Sequence, residues 1–278
     1  MTAVLLATAC AVVYGTADFF GGLATRRSRV LSVVMISQFA GLLFVLPLFP
    51  LLPGAFGAAA LGWGMAAGVC GALAVAVFYR ALAGGVMSVV APTTATASAA
   101  LPVLVGLAMG ERPTAVALCG VALALLAVVL VSRQSGAGGG RVAVGPVVQA
   151  LVSGLGFGAF FILLKQVPEG SGMWSLFGAR LASVVLVAAL ALALRRTLRP
   201  GPGSLPVIVA AGLFDMAANV LFLLAAQRGM LVLVSVLASL YPASTLMLAR
   251  YVLGERLNGV QTAGVGLALG AVALIAGG

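Results

Sequence analysis

The tripeptide Gly110-Glu111-Arg112 returns 144 residues later as Gly254-Glu255-Arg256, in register with the apolar run that follows each copy. Residues 120–130 read GVALALLAVVL and residues 264–274 read GVGLALGAVAL, identical at eight of eleven positions. In a chain of 278 residues that spacing is about half the length. It predicts a tandem duplication, which limits the fold to architectures assembled twice from one unit. Duplicated membrane units of this kind are typical of secondary transporters, whose site lies where the halves meet.

The unit is a membrane unit because of its charge content. Hydrophobic residues make up 63% of the chain and charged residues 7%, where a soluble domain carries about 25% charge. So few charges cannot hydrate a surface of ordinary size, and lipid is the expected solvent. A net charge of +10 could point to nucleic acid. The fifteen Lys and Arg residues, however, sit almost entirely in short connections and form no motif that reads DNA or RNA. They read as topology signals instead. Cys10, Cys70 and Cys119 lie inside apolar runs, odd in number and without ligand spacing, so neither a disulfide framework nor a zinc site is expected. The chain has no His, the commonest metal ligand and proton shuttle.

About 20 apolar residues cross a bilayer as a helix. Ten runs qualify: 2–24, 30–52, 60–83, 86–108, 114–132, 144–165, 172–194, 205–227, 229–253 and 259–277. The first has no charged leader and no clear cleavage site, and is read as a span. The glycine-rich stretch from Arg133 to Arg141 is read as a linker. The expected fold is all-α integral membrane, ten transmembrane helices in two five-helix repeats, residues 1–139 and 140–278. Five is odd, so the halves enter the membrane in opposite senses and form an inverted repeat. Connections after the odd-numbered spans hold eleven of the fifteen basic residues, against Arg112, Lys165, Arg180 and Arg228 elsewhere. The arginine-rich side is expected to be cytoplasmic, with both termini outside.

Paired five-helix halves, Gly-Glu-Arg closing the fourth span of each, and the aromatic-glycine pairs Tyr14-Gly15 and Phe157-Gly158 together resemble a family. The chain looks like a drug/metabolite transporter of the EamA type over essentially its whole length. The resemblance implies a ten-helix carrier with a central cavity lined mainly by spans 1, 3, 4, 6, 8 and 9, with spans 5 and 10 peripheral. It implies export of amino acids, drugs or metabolites, or import of small solutes.

Acidic residues number five, and two lie within apolar spans: Asp18 in span 1 and Asp215 in span 8. A charge in hydrocarbon costs at least about 2.5–3.5 kcal/mol, so such residues face a cavity or a partner. A carboxylate there can exchange a proton for a cationic substrate. Asp18 has a structural alternative, an ion pair with Arg26 or a place near the headgroups. Asn219 lies at i+4 from Asp215, on the same helical face. Arg180, within span 7 near Trp174, either snorkels to the headgroups or pairs Asp215 or a substrate carboxylate. Glu111 and Glu255, beside Arg112 and Arg256, read as interfacial ion pairs that end a helix, with gating as the alternative. Glu169 reads as a solvated loop charge.

Tyr14 and Gly15 align with Phe157 and Gly158, and serve close packing or a hinge beside the cavity. Gln38 and Gln149 serve interhelical bonding or solute contact. Span 4 holds Thr93 and Thr96 between Pro92 and Pro102, and span 9 holds Ser235, Ser239, Tyr241 and Pro242. These hydroxyls either satisfy carbonyls freed by proline or line a polar groove at the site. Gly64/Gly68 and Gly266/Gly270 have GxxxG spacing. No P-loop, Ser-His-Asp set or HExxH motif is present, so no enzyme and no cofactor is expected.

The sequence thus predicts a secondary active transporter in the cytoplasmic membrane, moving a small metabolite, amino acid or drug-like solute by alternating access. A membrane scaffold or assembly protein without transport activity is the alternative. An integral membrane enzyme is a third reading, weakened by the lack of His. Expected partners are the solute, the lipid bilayer and a proton or other coupling ion, without nucleic acid and as a monomer.

Overall fold

In a computed structural model of the chain, the described residues are 1–84, 87–131, 144–195, 197–254 and 258–277. The expected linker and the 139/140 boundary lie outside them, as do Glu255 and Arg256.

All regular structure among the described residues is helical. The elements are α1 (Thr2–Thr25), α2 (Val30–Val45), α3 (Leu48–Leu51), α4 (Ala58–Gly84), α5 (Met87–Ala108), α6 (Ala115–Val131), α7 (Val144–Lys165), α8 (Trp174–Ala193), α9 (Leu205–Ala226), α10 (Leu231–Ala238), α11 (Tyr241–Leu253) and α12 (Gly259–Gly277). Helix is the conformation that satisfies a backbone inside lipid without help from a neighbouring strand. Seven stretches are long and apolar enough to cross a membrane: Thr2–Thr25, Ala58–Phe78, Val144–Lys165, Trp174–Ala193, Leu205–Ala226, Leu231–Leu253 and Gly259–Gly277. Val30–Val45, Thr93–Ala108 and Ala115–Val131 are equally apolar but shorter.

Two runs read as single spans are broken. Residues 30–52 divide into α2 and the one-turn α3, because Pro47 and Pro50 cannot donate to the helical ladder. Residues 229–253 divide into α10 and α11, with Pro242 in the first turn of α11. The hydroxyls nearby bond the backbone: Ser235 donates to the Leu231 carbonyl at 2.6 Å and Ser239 to that of Ser235 at 2.7 Å.

The repeated tripeptide has a conformational basis. Gly110 and Gly254 both follow a long helix and both hold positive φ, +90° and +69°. Only glycine adopts that left-handed turn without strain, so each ends the helix it follows.

α1 packs on α9, α10 and α11; α4 packs on α7 and α8; α5 packs on α7 and α10; α2 packs on α8 and α9. α6 and α12 pack chiefly on each other, at the periphery. The seam between α4 and α8 is set by one GxxxG pair. A Cβ on Gly64 would lie 1.9 Å from the Ser175 carbonyl oxygen, and one on Gly68 would lie 2.1 Å from that of Ala179. Without side chains there, the two backbones touch. The second pair does no such work, since a Cβ on Gly266 meets nothing within 4 Å. At the centre Phe161 of α7 stacks on Phe222 of α9, with centroids 4.3 Å apart. Seven of the eight residues of α10 are buried, making it the core element of the bundle. Large apolar side chains such as Leu5, Leu104, Leu192 and Leu269 point outward, where a soluble protein would carry charge.

Candidate functional site

Arg180 gathers polar side chains from two other helices of this apolar bundle. It lies on α8, six residues after Trp174, and is buried rather than snorkelled to an end. Its Nη2 donates to Oδ2 of Asp215 at 2.6 Å, its Nη1 donates to Oε1 of Gln38, and its Nε faces Sδ of Met216 at 3.2 Å. Gly41 makes room, since a Cβ there would stand 3.1 Å from Nε. Arg180 thus ties α8 to α2 and α9 through a charge-assisted pair. Of the two roles open to it in the sequence, pairing with Asp215 is the one realised.

Asp215 is only partly covered by this pairing, with its side chain 35% exposed against 7% for Arg180. One turn on, Asn219 Nδ2 donates to the Asp215 carbonyl at 2.8 Å and its Oδ1 accepts from the Tyr14 hydroxyl at 2.6 Å. Residues from α1, α8 and α9 are therefore joined in one polar network.

That network borders a cavity. Its lining includes Tyr14, Asp18, Gln38, Phe157, Arg180, Asp215, Asn219 and Tyr241, eight of the ten residues expected to bind or couple. Thr93 and Thr96 stay outside the lining. Of their run Ser98 reaches it, a different face of α5 from that expected. Thr94 faces α7 instead, donating to the Ala150 carbonyl at 3.1 Å. Asp18 is exposed at the cavity wall and makes no ion pair with Arg26, so that alternative is not realised. Gln38 and Arg180 bring α2 and α8 to the wall as well, beyond the six spans expected.

The lining also includes residues that the sequence reading passed over: Phe78, Phe160, Phe161 and Ser183. The run from Phe157 to Phe161 carries three Phe residues in little more than a turn, which was the available signal. Gly15 and Gly158 serve close packing. A Cβ on Gly15 would collide with the Tyr241 carbonyl oxygen at 2.5 Å, and one on Gly158 would meet Leu101 at 3.0 Å.

Away from the cavity, Glu111 has a partner other than the one expected. Its carboxylate does not pair with Arg112, which is exposed. Oε1 accepts from the Leu231 N–H at 2.6 Å and Oε2 from the Val232 N–H at 2.8 Å. A carboxylate satisfies the orphan donors and favours the positive end of a helix dipole, so Glu111 caps α10. Lys165, at the end of α7, caps the preceding helix: Nζ donates to the carbonyls of Ala226 at 2.5 Å and Gly229 at 2.8 Å. The short connection between α9 and α10 is held from both sides. Glu111→Gln keeps one acceptor and loses the charge. It is expected to lower thermal stability in detergent by about 1–3 kcal/mol, with ligand affinity unchanged. A variant with normal stability and abolished transport would make Glu111 a gate rather than a cap.

Residues 145–277 match the EamA-like transporter family, so the second half of the chain carries a domain of that family. No curated protein is significantly similar in sequence. A protein of known crystal structure superposes with a TM-score of 0.79 at 18% identity, covering 98% of this chain and 95% of that one. At that identity the likeness is one of fold, and it extends over both halves.

Proposed function

Since residues 145–277 carry an EamA-like transporter domain, we propose that the whole chain is a secondary carrier that moves a small solute across the cytoplasmic membrane by alternating access. The observation that carries this reading is the cavity between the halves, with Asp18 of α1 and Asp215 of α9 both at its wall. A scaffold has no need to keep two carboxylates at a hollow in its centre, and filling it with apolar side chains would be the more stable choice.

The proposed architecture is ten helices in two inverted repeats, with α3 appended to the second span and α10–α11 forming the ninth. The packing pattern supports it. Exchanging the halves turns the α1–α9 contact into α7–α4, the α4–α8 contact into α9–α2, and the α5–α7 contact into that of α10 and α11 with α1. The pairs α6–α12, α2–α8 and α5–α10 map onto themselves. The left-handed glycines Gly110 and Gly254 obey the same exchange. In such a repeat each half can adopt the conformation of the other, which moves access from one membrane face to the opposite one. The arginine-rich connections belong inside the cell under this reading, and a proton on a cavity carboxylate is a suitable coupling ion. The carrier works as a monomer, with its cavity built from one chain.

The test is solute counterflow in proteoliposomes, with and without a pH gradient, over a panel of amino acids, amines and organic ions. Saturable accumulation above protein-free vesicles is expected for at least one class. Monodisperse protein that accelerates none of them would favour the scaffold.

A further inference from the structure

The charges in the cavity do not balance, and the imbalance selects a ligand. Among the described lining residues three are charged: Asp18, Arg180 and Asp215. Arg180 and Asp215 neutralise each other at 2.6 Å. The guanidinium is almost wholly buried and already bonded to Asp215, Gln38 and Met216, so its charge is countered within the protein. Asp18 is different. It is exposed to the cavity and has no hydrogen-bond or ion-pair partner among the described residues. The wall is left with one uncompensated negative charge. In low-dielectric surroundings such a charge is met either by a proton or by a cationic ligand that displaces it.

The rest of the wall is aromatic. Tyr14, Phe78, Phe157, Phe160, Phe161 and Tyr241 all line the same cavity. The rings touch across helices: Phe78 of α4 meets Phe157 of α7 edge-on at 6.3 Å, and Tyr14 of α1 meets Phe161 at the same distance. Aromatic faces attract cations and apolar bodies, and they offer an anion nothing.

We infer that the cavity takes a monovalent organic cation with an apolar or aromatic body, whose charge is countered by Asp18. This deepens the carrier reading and rests on it. It disfavours zwitterionic amino acids and carboxylate metabolites, because the one described cation at the wall is already neutralised by Asp215.

Binding to purified protein in detergent, measured by isothermal titration, tests the inference. Four water-soluble probes share one ring: benzyltrimethylammonium, benzyl alcohol, phenylmethanesulfonate and phenylalanine. The cation is expected to bind at least about tenfold more tightly than the other three. Asp18→Asn is expected to erase that preference, and Asp18→Glu to keep it. Asp18 holds no partner in place, so both variants are expected to fold, as size exclusion would verify. Equal affinity for the cation and the alcohol, tighter binding of phenylalanine or the sulfonate, no binding of the cation, or an unaltered preference in Asp18→Asn would each overturn the inference. Counterflow of the same probes separates it from the carrier reading. If the cation binds through Asp18 and neither it nor any solute of the counterflow panel crosses, the assignment of the ligand stands and the carrier reading falls. If phenylalanine or the sulfonate crosses and the cation does not, the carrier reading stands and this inference falls.

Discussion

Arg180→Leu is expected to cost this protein about 2–3 kcal/mol of stability, less than the ~3–5 kcal/mol of a fully buried ion pair because the Asp215 side chain is 35% exposed. Leucine leaves Asp215 charged without its 2.6 Å partner and leaves Oε1 of Gln38 without its donor. It also parts α8 from α2 and α9, which the guanidinium joins. Removing Asp215 alone is costly for the converse reason, because the buried guanidinium is then the orphan. Deleting this membrane carboxylate brings no gain, since Asp215 is paired. The double change Arg180→Leu with Asp215→Leu is expected to recover most of the loss, as replacing a whole buried pair by apolar groups is often neutral. Thermal unfolding of the two single variants and the double variant in detergent forms the cycle. Additive losses would mean that the pair contributes nothing jointly, and the account of the site given above would fail.

Gly68→Val is expected to prevent assembly of the bundle altogether. The Cβ it adds would stand 2.1 Å from the Ala179 carbonyl oxygen and 2.7 Å from its carbon. Those are backbone atoms of α8, so no side-chain rotation can relieve the clash. The helices must separate, and with them the seam that sets Arg180 and Ser183 against the cavity. Ser183 also donates to the Gly68 carbonyl at 2.9 Å, a bond that a wider seam would break. Overpacking typically costs about 1–3 kcal/mol where side chains can adjust, and here they cannot. Gly266→Val is the control, because nothing lies within 4 Å of its Cβ. Fluorescence-detected size exclusion should show aggregate or no protein for Gly68→Val and a normal peak for Gly266→Val. A monodisperse Gly68→Val protein would show that α4 and α8 do not meet through this glycine.

The all-helical class was legible because lipid simplifies the code: apolar length reports helices. The breaks at Pro47 and Pro242 were visible as prolines but not as interruptions, since proline in a membrane helix has several outcomes. Residues on α1, α8 and α9 that converge on the cavity were legible because polarity inside a span is rare. That Thr93 and Thr96 lie outside the cavity lining was not legible. A hydroxyl can be satisfied by its own helix, so it announces no face. The partner of Glu111 was illegible too. Its sequence neighbour is Arg112, but the donors it satisfies are backbone N–H groups 120 and 121 residues away. Backbone donors leave no trace in a sequence. Glu255 and Arg256 lie outside the described residues, so the second copy of the motif is seen here only in its glycine.

Under the inverted repeat proposed above, Lys165 sets one half apart from the other. It pins the connection between α9 and α10 by two carbonyls, and 143–144 residues earlier the chain has Gly21 and Gly22. One half carries a cationic pin, and its counterpart has no side chain with which to imitate it. If the halves trade conformations, the trade is unequal, and one access state is the resting population. A solute that approaches the under-populated face binds with its intrinsic constant divided by the fraction of molecules open to it. Two nearly symmetric doors would then show different half-saturation concentrations, without any difference between the two faces in the residues that touch the solute.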